Sequence, residues 1–356
     1  LRKILYVFLA VLLIVALAVP TFAAYKPEYK MSVNPSATTP WGQGAIYFAD
    51  LVRQKTDGRV NIKVYCSAQL MAGKQTSEFL LVRNGAIDFA LSSTINWSPQ
   101  VKELNLPALP FFVASGGDRF KAMDAIENGK SGKIMIDAIE KKGVKVLGWG
   151  ENGFRELTNN VRPVTTPEDM KDLKIRVVGS PLYIDIFKAL GANPINMNWS
   201  EATTGFQQGV VDGQENPVGV LFSVKIWSYH KYMTDWHYVI DPLLFAVNPG
   251  VFKSFTDTDR KIIMECAIEA SKFQKAVARI GLDDGSSYDY LKSINALPKV
   301  TEPYKYLEEN GMTVTKLSRQ QVEAFKSATA DVMSEWRKEL GEDFVETAEQ
   351  DMASCQ

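Results

Sequence analysis

Two arginines and one amide carry the chemistry this sequence offers. Arg155 follows Gly153-Phe154, Arg176 lies in Leu173-Lys174-Ile175-Arg176-Val177, and Asn216 stands in Asp212-Gly213-Gln214-Glu215-Asn216-Pro217. These spacings can set two guanidiniums and an amide around one cleft. A guanidinium fork makes two parallel bonds to a carboxylate, which the point charge of an ammonium does not. Ile175, Val177 and Val178 flank Arg176, so its stem is expected to be buried, and a buried guanidinium is costly without an anion. That anion is either a protein acid in a structural salt bridge or an exogenous carboxylate, and the flanking residues leave both open. Asn216 has a second reading as a turn residue before Pro217.

Other chemistries find no support. Gly148-Trp149-Gly150-Glu151-Asn152-Gly153 matches the dinucleotide fingerprint by letter, but Phe154 to Asn159 and nearby Pro163 read as extended chain. No helix N-terminus is then available for a pyrophosphate. These glycines are read as marking an interdomain crossover where the backbone bends. Lys130-Ser131-Gly132-Lys133 lacks phosphate-loop spacing and is read as a solvated turn. The only histidines are His230 and His237, no cysteine pair has metal-ligand spacing, and no Gly-x-Ser-x-Gly elbow occurs. Asp283 and Asp284 are read as a solvated helix face. No general base, metal or cofactor is expected, and a secreted enzyme acting on organic acids is the weakest of the readings.

The elements that would position the arginines alternate. Tyr29 to Asn34, Val60 to Val64 and Ala86 to Leu91 read as strands, separated by helical patterns from Ala45 to Val52 and near Lys74 to Asn84. Val144 to Leu147, Lys174 to Val178 and Ile195 to Met197 are strands of a second set. Helices are expected from Thr166-Pro167, from Pro181 to Leu190 and from Ser200 to Gln208. Such alternation predicts an α/β protein with parallel sheets and helices on both faces. Asp257 to about Asn295 reads as one helix roughly 50 Å long, enough to lie across two lobes. Ser318 to about Glu349 reads as another, with a break at Gly341.

The N-terminus has the three-part form of a secretory signal: Arg2 and Lys3, an apolar run from Ile4 to Val19, and small residues around Ala23. Cleavage after Ala23 is expected, and the apolar run is short of the roughly 20 residues that span a bilayer. No cysteine lies near that position, so no lipid anchor is expected. Three cysteines leave at least one free thiol, and a Cys266 to Cys355 bridge stays open. The 356 residues suffice for two domains, and a formal net charge of -1 argues against a nucleic-acid or membrane-surface binder.

The strings GWGENGFRELTNNVRPVTTPEDMKDLKIRV and GANPINMNWSEATTGFQQGVVDGQENP resemble the substrate-binding proteins of the tripartite ATP-independent periplasmic (TRAP) transporters, DctP type. The likeness extends over nearly the whole mature chain. It implies a two-lobe periplasmic binding protein with a hinge and a long helix spanning both lobes. Lobe I would comprise 24–150 plus 241–281, and lobe II 151–240 plus 282–356. It further implies that Arg176 clamps a substrate carboxylate, that Arg155 is a second ligand-contacting arginine, and that Asn216 bonds the carboxylate or an adjacent oxygen. Trp199 matches an aromatic laid against the ligand, though core packing would also suit it. Asn34, Ser92 and Ser93 match loops of the other lobe, and Trp236 is a further wall. Trp41 and Trp97 are weaker candidates for the same cleft.

The implied function is capture of an organic acid, such as a dicarboxylate, by hinge closure, with both arginines hydrated in the open state. Delivery to a TRAP membrane permease would follow without ATP, by a monomeric, periplasmic, non-enzymatic protein. The alternative is a binding protein of another transporter or of a chemoreceptor system.

Overall fold

A computed structural model describes residues 25–113 and 118–354. The expected signal peptide, its cleavage site and Cys355 lie outside the described residues. Cys66 and Cys266 are free thiols, the latter buried.

Two mixed sheets organise the chain. The first has the order β2-β1-β3-β10-β4, built from β1 (Tyr29–Val33), β2 (Ile62–Tyr65), β3 (Phe89–Ser93), β4 (Lys145–Phe154) and β10 (Ile240–Val247). The second has the order β11-β9-β5-β8-β6-β7, from β5 (Glu156–Asn159), β6 (Lys174–Val177), β7 (Asn193–Asn196), β8 (Gly213–Asn216), β9 (Tyr232–Asp235) and β11 (Thr313–Lys316). The sheets are not purely parallel as expected, because β10 runs antiparallel to β3 and β4, and β5 antiparallel to β8 and β9. The reason is the crossing between sheets. Phe154 pairs with Ile240 in the first sheet and Leu157 pairs with Thr234 in the second, so two antiparallel segments pass side by side from one sheet to the other. Arg155 N donates to Val239 O (3.0 Å) midway.

Gly148 and Gly150 do not mark a bend. They lie within β4, under the helix Asp257–Arg279, where a Cβ on Gly150 would sit 2.7 Å from Gln274 Oε1 and one on Gly148 3.0 Å from Ser271 Oγ. Glycine lets that helix approach the sheet closely. Gln274 then serves the open edge of β4: its Oε1 accepts from Glu151 N (2.7 Å) and its Nε2 donates to Glu151 O (2.6 Å). Only Gly153, with φ +119, takes a conformation that other residues avoid.

The long helix is shorter than its pattern suggested. It ends at Arg279, and Gly281 (φ +70) turns the chain; Ser286–Ser293 forms a separate helix. Its buried face, including Ile263, Ala267 and Ala270, belongs to the core of the first sheet, while Val277 and Ile280 near its end line a groove with Val218 and Phe222 of the second unit. Asp283 sits in the turn rather than on a helix and accepts from Gly285 N (3.0 Å). The C-terminal pattern breaks twice, giving helices Arg319–Ala328, Ala330–Leu340 and Glu342–Ala353. Phe325 packs in the second unit's core, Trp336 touches both, and Phe344, Val345 and Ala348 join the first unit's core. The last helix therefore lies on the first unit, not within lobe II as assigned from the sequence. Its Asp351 accepts from Ser131 N (2.8 Å), and Lys130 begins the helix Lys130–Lys141 rather than a solvated turn.

Candidate ligand-binding site

Between the two sheets lies a cavity with about 350 Å3 free of protein atoms. The ends of strands aim residues into it. From the first unit come Asn34 after β1, Ser93 at the end of β3, Asn152 on β4 and Asp241 on β10; from the second come Arg176 on β6 and Asn216 at the end of β8. Trp199 opens the helix Trp199–Gln207, and Trp41 reaches in from the first turn of the helix Pro40–Lys55. That helix begins where it does because Thr39 caps it, accepting from Gly42 N (3.0 Å), with Pro40 in the first turn.

The two arginines differ. Arg155 is matched within the protein: Nη2 donates to Glu215 Oε1 (2.7 Å), to Glu215 O (2.8 Å) and to Asn216 Oδ1 (3.1 Å), Nε donates to Glu215 Oε2, and Nη1 approaches Asp241 Oδ2 (3.2 Å). Burial opposes its charge, but the Glu215 carboxylate outweighs burial and raises its pKa further. Burial raises the Asp241 pKa, against the pull of Arg155 and the hydrogen bonds from Asn152 and Ser93. The expectation of two hydrated guanidiniums awaiting an anion is thus corrected for Arg155, because Glu215 sits one residue before Asn216 and meets the fork first.

Arg176 has no such partner. Its side chain is 2 % exposed; Nε donates to Met197 O (2.9 Å), while Nη2 is buried without a hydrogen-bond partner. The guanidinium lies 5.4 Å from the Trp199 ring centroid, a cation–π contact. Burial lowers its pKa to about 10, with Arg155 adding repulsion and Glu215 opposing it. It therefore stays charged at neutral pH. Among the described residues no acid forms an ion pair with it.

Polar neighbours complete the cavity. Asn34 Oδ1 is buried without a partner. Gln75, at the start of the short 3-10 helix Gln75–Ser77 of the first unit, donates to Asn96 Oδ1 (2.8 Å) and accepts from Trp199 N (2.8 Å), joining the two units at the rim. Ser98 Oγ approaches Ser180 Oγ (3.4 Å), and a Cβ on Gly219 would lie 2.7 Å from Pro40 Cγ, so the walls meet on more than one side.

Of the candidates, Asn34, Ser93, Arg155, Arg176, Trp199 and Asn216 converge here. Ser92 and Trp236 do not. Strand alternation turns Ser92 away from Ser93, toward buried Glu78. Trp236 packs among Phe187, Tyr238 and Phe325, and its Nε1 donates to Arg155 O (3.1 Å). Trp41 lines the cavity, whereas Trp97 is a core residue donating to Glu78 Oε2 (3.3 Å). Gln75, Asn96, Asn152 and Asp241 were missed: Asn152 lies within the glycine string read as a crossover and Asp241 beside a lobe boundary, while nothing in the local sequence singles out Gln75 or Asn96.

A cavity with one unmatched arginine, between two α/β units joined by paired crossing segments, is the geometry of a solute-binding protein. The family model for DctP, bacterial extracellular solute-binding protein, family 7, matches residues 31–280. The chain belongs to this family.

This family-7 protein is 34% identical over 228 residues to the 2,3-diketo-L-gulonate-binding periplasmic protein YiaO of Escherichia coli K12, covering 64% of this chain and 68% of that one. Its fold matches a TRAP periplasmic solute-binding protein from Ralstonia eutropha H16 with bound (S)-2-hydroxy-2-methyl-3-oxobutanoate, at 46% identity and a TM-score of 0.85, covering 93% of this chain and 100% of that one. A Sulfurospirillum deleyianum relative with bound succinate matches at 27% identity and a TM-score of 0.78, covering 92% and 99%. The two-lobe fold of the TRAP binding proteins is thus shared, and the relatives are binding proteins rather than enzymes. Among the described residues no helix is long and apolar enough to cross a membrane.

Proposed function

We propose that this protein captures a small organic acid in the interlobe cavity, with Arg176 holding its carboxylate, and presents the closed, loaded form to a TRAP membrane permease from the periplasm. The observation that carries this reading is the Arg176 guanidinium, 2 % exposed and facing no protein acid. Leaving such a charge uncompensated costs several kcal/mol, so the closed arrangement favours an arriving anion. That differential affinity is what drives a hinge toward closure. The dipeptide-like crossing at Arg155 and Val239 supplies the hinge.

Charge bookkeeping narrows the ligand. Arg155 is engaged by Glu215 and Asp241, which leaves Arg176 as the guanidinium of the cavity without a protein acid to pair with. A second carboxylate would meet Asp241. The amides of Asn34, Asn96, Asn152 and Asn216 and the hydroxyl of Ser93 suit hydroxyl and oxo oxygens instead. A monocarboxylic hydroxy or oxo acid, like the one bound by the Ralstonia relative, suits this lining better than a C4-dicarboxylate.

Mass spectrometry of ligand released from the purified protein, followed by calorimetry with hydroxy, oxo and dicarboxylic acids, tests the assignment. Micromolar or tighter binding of a monocarboxylate that disappears in Arg176→Ala is expected. Binding that survives Arg176→Ala removes the reading. Uptake by vesicles carrying a TRAP permease, dependent on the loaded protein, tests delivery.

A further inference from the structure

We propose that Glu156 and His237, with Asp235 behind the imidazole, form a binding site for a divalent transition-metal ion such as Zn2+ at the crossing between the two sheets. Glu156 begins β5 and His237 follows β9, so the pair belongs to the two segments that pass between the units. The three side chains bring one ligand atom each within 4.8 Å of one another.

The hydrogen bonds leave two donor atoms open toward each other. His237 Nδ1 lies 2.8 Å from Asp235 Oδ1, which places the proton on Nδ1 and the lone pair on Nε2. A carboxylate behind an imidazole in this way is the usual support of a metal-ligating histidine. Glu156 Oε2 accepts from Trp236 N (2.9 Å) and His237 N (3.1 Å), which fixes the carboxylate. Its Oε1 is buried and has no hydrogen-bond partner, although it faces His237 Nε2 at 3.6 Å. That separation is too long for a hydrogen bond and suits an ion bonded to both, since zinc binds imidazole nitrogen at about 2.0–2.1 Å and carboxylate oxygen at about 2.0–2.2 Å. Nitrogen beside carboxylate favours zinc over calcium or magnesium, which prefer oxygen alone.

The remaining ligands would be water, entering from an opening lined by His237, Tyr304, Arg119 and Lys316. Tyr304 donates to Asp235 Oδ1 (3.3 Å). Arg119 lies over the Phe154 ring and Lys316 over the Tyr304 ring, and these two cations lower the affinity without occupying the gap between Glu156 and His237. An ion here would tie together the strands that must flex, one residue from Arg155 and one from Trp236.

Calorimetric titration of the metal-free protein with Zn2+ at neutral pH tests this. One ion per chain is expected, with uptake lost in His237→Gln and in Glu156→Gln. Asp235→Asn should weaken it about tenfold to a hundredfold, as removal of outer-shell support does elsewhere. Cys66→Ser should leave it unchanged. Cooperative melting in metal-free buffer establishes that each variant folds, and the isosteric Glu156→Gln serves if His237→Gln does not. No uptake by the wild type, uptake unaffected by substitution of either ligand, or uptake lost with Cys66 overturns the proposal and leaves His237 an imidazole supported by Asp235 alone.

Discussion

The Arg176 guanidinium sits 5.4 Å from the centroid of the Trp199 ring and faces no acid, whereas Arg155, in the same cavity, is held on both sides by Glu215 and Asp241. One cavity therefore contains a saturated and an unsaturated guanidinium, and the two respond oppositely to substitution.

Arg176→Lys should weaken carboxylate binding at least about tenfold, because a point charge replaces a planar fork. Isothermal titration of the wild type's own ligand measures this. Arg176→Met should abolish binding yet raise the ligand-free melting temperature, since removing an unpaired buried charge relieves its desolvation cost. A lower melting temperature for the ligand-free variant would contradict that account of Arg176.

Glu215→Gln should destabilise the fold by about 3–5 kcal/mol, the usual cost of breaking a buried ion pair by removing one partner. Denaturant unfolding without ligand reads it directly. The double variant Glu215→Gln, Arg155→Met should recover much of the loss.

Gln75 crosses the rim with both ends of its amide engaged. Only the bond from Trp199 N joins the two units, and Gln75→Leu removes that closure contact, worth about 0.5–1.5 kcal/mol net. Affinity should fall roughly twofold to tenfold, mainly through faster release. Stopped-flow dissociation separates this from slower capture.

Two buried groups give stability opposite dependences on pH. Burial pushes Glu78 up to about 7, against the pull of the nearby Ser32 and Ser92 hydroxyls and the hydrogen bond from Trp97. Its folded pKa exceeds its unfolded value, so its stabilisation is complete below pH 4.5 and is lost as pH rises toward 7, by roughly 3 kcal/mol. Burial depresses His230 to about 3. Its contribution is present above pH 6.5 and is lost as pH falls toward 3. Glu78→Gln should remove the decline between pH 4.5 and 7 and expose the His230 slope, as chemical denaturation across that range will show.

Much of the site was legible because it hangs on strand ends with recognisable strings. Arg176 reads as buried from its apolar neighbours, and Asn216 is placed by its motif. What pairs with Arg155 was not legible: Glu215 is 60 positions away, and only register brings β8 against β5. The same limit hid the facing of Glu156 and His237, since a metal pattern read along the chain needs ligands at short spacing. The helix from Asp257 was overextended because its apolar period continues past Arg279, and a turn at Gly281, pressed against Thr301, outweighs that local signal. Trp236 shows the complementary error: an aromatic near a cleft was drawn into the core by Phe187, Tyr238 and Phe325.

The final helix, Glu342–Ala353, packs on the same unit as Tyr25 at the start of the described chain. The first and last described segments thus rest on one half of the molecule. A surface attachment through either segment would immobilise that half alone, and a fluorophore on the opposite half would report the swing between them whichever segment were fixed.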